Sequence, residues 1–147
     1  MVKRTGEVVM GIIGIVFSAL FSIAGIVVNV LMDDPEVKNA MEEEMGNDPN
    51  MQSAGMTTEE MNAMIDMIGS MGPYLIVLGV IASILGLVAV FTIVKNRKPI
   101  LSGIMFILAS LVIGIGTFGA GFIPGLLFLI AGIMAFARKP KKVETVY

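Results

Sequence analysis

The sequence predicts an all-α membrane protein: a four-transmembrane-helix bundle with a helical extracytoplasmic loop between spans 1 and 2. Three observations lead there. Apolar residues make up 56% of the 147 and charged residues only 15%, against about 45–50% and about 25% in soluble domains. The charges are clustered, leaving uncharged runs long enough to cross a hydrocarbon core of ~30 Å. The basic residues fall almost wherever an even number of such runs separates them. The first two observations exclude a soluble globular fold and a disordered chain. The whole chain, 1–147, reads as a single membrane domain.

Span 1 is the run Val8 to Met32, 25 residues, roughly 37 Å as a helix and enough to cross with some tilt. Lys3 and Arg4 before it resemble the start of a signal peptide, and Ser22-Ile23-Ala24 a cleavage site. The apolar run exceeds the ~7–15 residues of a signal core, so it reads as a retained span. Span 2 is Tyr74 to Val94, 21 residues, and the uncharged stretch Pro99 to Ala137, 39 residues, holds two more. Gly119-Ala120-Gly121 supplies the turn between them and Pro124 suits the first turn of the next helix. Spans 3 and 4 are therefore placed at about 100–118 and 123–137. A re-entrant hairpin that never crosses is the competing reading.

Charge sets the orientation. Lys3 and Arg4 precede span 1, Lys95, Arg97 and Lys98 follow span 2, and Arg138, Lys139, Lys141 and Lys142 follow span 4. Only Lys38 lies in the 33–72 segment, which holds ten of the twelve acids and a net charge of −9. The positive-inside rule then puts both termini, the basic 138–147 tail and the 95–98 loop in the cytoplasm of a plasma-membrane protein, and the acidic loop outside. Tyr74, Phe118 and Phe122 fall near the outer interface, where aromatic rings favour the headgroups.

Helices in lipid associate where small residues let backbones approach. Gly11, Gly14 and Ser18 in span 1, Gly79, Ser83 and Gly86 in span 2, Gly103, Ser110 and Gly114 in span 3, and Gly125 and Gly132 in span 4 are the candidate packing positions. The span hydroxyls are expected to bond their own helix backbone, and Asn29 to reach across helices. Gly11-Ile12 with Ser18, and Gly103-Ile104 with Ser110, hint at a duplicated hairpin; so biased an alphabet also produces such echoes by chance.

The loop carries helix punctuation. Asp34-Pro35 reads as N-cap and first helical residue, Gly46 as a stop, Asp48-Pro49 as a turn, and Thr57 to Glu60 as a capping box. Two short amphipathic helices outside the membrane are expected. Eight of the thirteen methionines lie here. Thioether sulfur is a soft ligand that selects Cu(I), which makes Met61, Met64, Met67 and Met71 soft-metal candidates. Methionine also serves as an adaptable apolar filler for packing or partner surfaces, the plainer reading where no His or Cys assists. The acids show no calcium-loop spacing and read as a solvated face.

The opening Lys3-Arg4-Thr5, Glu7 and Met10 to Gly14, then Lys98-Pro99 with Gly103-Ile104, and finally Ile123-Pro124-Gly125 through Ile133 followed by Arg138 and Lys139 form a pattern. It resembles a family of small four-span bacterial membrane proteins, common in Gram-positive bacteria and known as a domain of unknown function. The likeness covers the four spans but not the Met-rich loop. It implies the fold and the plasma membrane, and no catalytic or binding residue.

Cysteine and histidine are both absent, which excludes disulfides, thiolate sites and serine–histidine chemistry. No charged residue falls within the spans, arguing against a proton-coupled exporter, and Glu7 reads as ion-paired beside Lys3 and Arg4. No cofactor and no nucleic acid are expected. The basic tail suits anionic lipid. The expected role is therefore non-enzymatic: an accessory or interaction subunit whose partners are the bilayer and another membrane protein or its own copies. A small transporter or channel component, related to soft metals such as copper, is the alternative.

Overall fold

The computed structural model describes residues 3–94 and 98–138. They form six helices: α1 (Thr5–Asp33), α2 (Pro35–Asn47), α3 (Pro49–Ser53), α4 (Thr58–Val94), α5 (Pro99–Gly116) and α6 (Phe122–Ala137). Three of these, α1, α4 and α5, are long and apolar enough to cross a membrane, and α6 is a shorter apolar helix of 16 residues. The molecule is an all-helical, multi-pass membrane bundle. The chain divides into two compact units, one holding residues up to Leu20 and from Leu78 onward, the other Phe21–Val77.

The Phe21–Val77 unit carries the connecting segment. Asp34 caps α2, its Oδ1 accepting the Glu36 N–H at 2.9 Å, with Pro35 in the first turn. The helix does not stop at Gly46 but runs one residue further, to Asn47. Asp48-Pro49 is not a simple turn. Asp48 repeats the Asp34-Pro35 chemistry, accepting the Asn50 N–H at 2.8 Å and starting α3. The Thr57 capping box forms: the Thr57 N–H donates to Glu60 Oε2 at 2.8 Å and the Glu60 N–H to Thr57 Oγ1 at 3.3 Å.

The helix that starts there is not the separate second amphipathic helix expected from the sequence. It continues through Pro73 to Val94 as one 37-residue helix. Breaking it would orphan up to four N–H and four C=O groups, whereas Pro73 removes a single backbone bond. Continuity is the lesser cost, most of all near a bilayer where water cannot replace the lost partners.

Within this unit α1 and α4 run antiparallel with their backbones in contact. A Cβ on Gly25 would lie 2.6 Å from the Gly72 carbonyl oxygen, and one on Gly72 would lie 2.8 Å from the Asn29 nitrogen. Ser22 Oγ donates across to the Ile76 carbonyl at 3.3 Å. Asn29 therefore meets α4 through its backbone rather than through the cross-helix amide bond expected of it.

In the other unit α5 and α6 form a hairpin that is equally close. A Cβ on Gly125 would sit 3.2 Å from the Gly114 Cα, and Ser110 Oγ donates to the Gly125 carbonyl at 2.8 Å. Gly119 takes a left-handed φ of 93° in the turn, a conformation natural to glycine. Phe118 also has positive φ, 52°, which is uncommon for a residue with a side chain.

Candidate functional site

Two side chains organise the core of the larger unit. Phe106 of α5 and Phe128 of α6 are fully buried and stack at 6.2 Å between centroids. Glycines make room for both rings. A Cβ on Gly14 of α1 would lie 2.7 Å from the Phe128 ring and one on Gly86 of α4 2.9 Å from it; one on Gly11 would lie 2.7 Å from the Phe106 ring. Two helices, α1 and α4, thus converge on the aromatic pair of α5 and α6. Further along, Gly103 faces the Phe136 ring at 2.8 Å, and Gly132 lies against Ile107 and the Gly103 carbonyl. Ala82, Ala89, Ala109 and Ala131 fill the same interior with no exposed surface. Gly79 is buried.

The hydroxyls do not simply bond their own helices. Thr92 does, to the Val88 and Ala89 carbonyls. Ser102, Ser110 and Ser22 instead reach carbonyls of a neighbouring helix. Close backbone approach brings those carbonyls within a serine's short reach. Ser18 and Ser83 bury their Oγ atoms without a hydrogen bond among the described residues.

An ionic cluster joins the start of α1 to the end of α6. Glu7 has no exposed surface although it lies just ahead of the span Val8 to Met32. Its carboxylate lies 3.8 Å from Arg4 Nη1 and 3.5 Å from Arg138 Nη1. The expected partner Lys3 contributes only its carbonyl. The arginines exchange backbone bonds: Arg4 Nη2 donates to the Arg138 carbonyl at 2.7 Å and Nη1 to the Ala135 carbonyl at 3.3 Å, while Arg138 Nη1 donates to the Lys3 carbonyl at 2.7 Å. Arg4 so satisfies carbonyls at the C-terminal end of α6, where a cation also meets the negative end of the helix dipole.

Residues 3–118 match the model of the protein family of unknown function DUF4064. The chain belongs to that family. No curated protein and no solved structure matches it. The DUF4064 match takes in the Met-rich loop and ends ahead of α6, the reverse of the coverage the sequence motifs imply.

For this DUF4064 chain the four methionine candidates all lie on α4, where they divide by exposure. Met61 and Met64 are half-buried beside buried Ile65, whereas Met67 and Met71 are exposed. No cluster of three or more His, Cys, Asp or Glu able to hold a metal occurs among the described residues. Several close-contact glycines stood outside the sequence-level packing set: Gly6 against Met134, Gly72 against Asn29, Gly116 against Leu78, and Gly121 against Thr117 and Ile113. Gly6 and Gly72 flank apolar runs, and Gly116 and Gly121 lie at or beside the turn inside one, places where the sequence does not separate a contact from a turn. Sequence separation also hides Arg138 from this cluster, because it lies 131 residues from Glu7 along the chain.

Proposed function

We propose that this protein is a non-enzymatic accessory subunit of the plasma membrane, with termini inside and the acidic loop outside, acting through helix packing and its extracytoplasmic segment. The observation that carries this reading is the unbroken α4. Its 37 residues form one helix, well beyond the about 20 needed to cross a ~30 Å hydrocarbon core. Its first turns, from Thr58 to Gly72, carry acids and the exposed Met67 and Met71 on the same continuous helix as a membrane span. Side chains displayed on an already-formed helix suit recognition, because less order must be gained on binding, and methionine is over-used on adaptable binding surfaces.

The test is affinity purification of the full chain from native membranes in mild detergent, beside the Met67→Ser/Met71→Ser double variant. The expected result is a membrane protein recovered in stoichiometric amount with the wild type and lost with the variant. Recovery of the chain alone, with ion flux in liposomes, supports the transport alternative instead. That alternative has one observation in its favour, four thioethers at helical spacing on α4, and Cu(I) titration of the purified protein against a Met61, Met64, Met67 and Met71 to Leu variant tests it.

A further inference from the structure

The turn between α5 and α6 satisfies itself. The N–H groups of Phe118, Gly119, Ala120 and Phe122 donate to the carbonyls of Ile115, Gly114, Thr117 and Gly119 at 3.0–3.1 Å. The Gly121 N–H donates to Thr117 Oγ1 at 2.6 Å, and that hydroxyl donates to the Ile113 carbonyl at 2.5 Å. Thr117 itself is buried. Every backbone N–H from 118 to 122 therefore has a protein acceptor, and Gly121 has no room for a Cβ against Thr117 Oγ1. A turn in water needs no such completeness, since solvent supplies partners; backbone in hydrocarbon does.

The side chains point the same way. Phe118 is 90% exposed and Phe122 63%, and the left-handed backbone of Phe118 coincides with that outward ring. No charged residue occurs between Pro99 and Ala137. The apolar exposure continues without a polar break along both helices, through Ile115 and Leu111 on α5 and Ile123 and Leu126 on α6. Length agrees: the 18 residues of α5 rise roughly 27 Å, just under the hydrocarbon thickness, and tilt shortens their reach further.

We propose that the α5–α6 turn stays immersed in the bilayer, with the Phe118 and Phe122 rings in contact with phospholipid at the boundary of acyl chain and headgroup. The occupant of this apolar tip is lipid, because the tip is continuous with the surface the spanning helices present to acyl chains. The inference needs only the membrane-spanning character of the chain, so failure of the accessory-subunit reading leaves it standing.

The chain contains no tryptophan, so Phe118→Trp introduces a single fluorescent reporter. The full-length variant is reconstituted in phosphatidylcholine–phosphatidylglycerol vesicles, with and without lipids brominated near the headgroup end of the acyl chain, beside a Met51→Trp control in the acidic loop. The expected result is blue-shifted emission from Phe118→Trp, loss of most of it in brominated vesicles and little quenching by acrylamide, with the control behaving oppositely. Acrylamide quenching of Phe118→Trp as strong as that of the control overturns the proposal. Blue-shifted emission that neither quencher reduces also overturns it, since the ring is then covered by protein. Should circular dichroism show that Phe118→Trp loses its helices, Phe122→Trp carries the same expectations and the same overturning results.

Discussion

At Gly86 the space for one methyl group is already taken by Ile15 at 2.7 Å and the Phe128 ring at 2.9 Å. Gly86→Ile must displace a stacked aromatic that also rests on Gly14, and overpacking of that kind costs about 1–3 kcal/mol. Thermal unfolding in detergent should show a clearly lowered midpoint; an unchanged one means the rings do not depend on that socket. The two orphan hydroxyls predict the opposite sign. Ser18→Ala removes a buried oxygen with no hydrogen bond at nearly constant volume, which is neutral or stabilising, up to about 1 kcal/mol. Ser110→Ala removes a cross-helix bond to Gly125 and should cost roughly 0.6–1.7 kcal/mol, the range found for such bonds in membranes. Paired melts of the two variants decide whether hydrogen bonding, rather than residue size alone, makes serine useful at these positions. Glu7→Gln removes the buried carboxylate charge that lies within 4 Å of both Arg4 and Arg138, and breaking a buried pair in this way costs about 3–5 kcal/mol. A melt indistinguishable from wild type would mean that the α1–α6 ionic cluster contributes nothing to stability.

Helices were legible where local chemistry is strong. Asp34-Pro35 and the Thr57–Glu60 box fix helix starts through bonds that span two or three residues, and such bonds are written in adjacent letters. Thr57→Ala should therefore fray the first turn of α4 at a cost of about 1 kcal/mol, read as faster amide exchange at residues 59–61 with the apolar half of the helix unaffected. What proved illegible was continuity. Pro73 looks like a boundary because local rules disfavour proline inside a helix, yet the cost of exposing two new helix ends outweighs it. Asp48-Pro49 misled for the complementary reason: one dipeptide serves both a turn and an N-cap, and only the residues that follow decide between them. The small residues of the spans were visible in the sequence as a class, and in the fold Gly11, Gly14, Gly86 and Gly103 sit under aromatic or aliphatic side chains. Their partners were not, because nothing local to Gly14 specifies Phe128.

Across the whole chain the charges divide into a block of −9 in residues 33–72 and nine of ten cations elsewhere. Such segregation has a physical consequence whatever the protein binds. Cations near span ends are held on the cytoplasmic side, whereas acids contribute little to orientation, so the loop with a single lysine is the segment that is translocated. The absence of native cysteine makes the orientation directly measurable. Met51→Cys should react on intact cells with a membrane-impermeant maleimide, because it lies on α3 between the acidic helices. Asn96→Cys, flanked by Lys95 and Arg97, should stay unlabelled until the membrane is permeabilised. The reverse pattern would invert the molecule and move the exposed methionines of α4 to the cytoplasmic face, where a partner would have to be sought instead. Labelling of both positions on intact cells would place the two loops on one side, which an odd number of crossings between Met51 and Asn96 forbids, and would force α4 to turn back within the membrane despite its unbroken backbone.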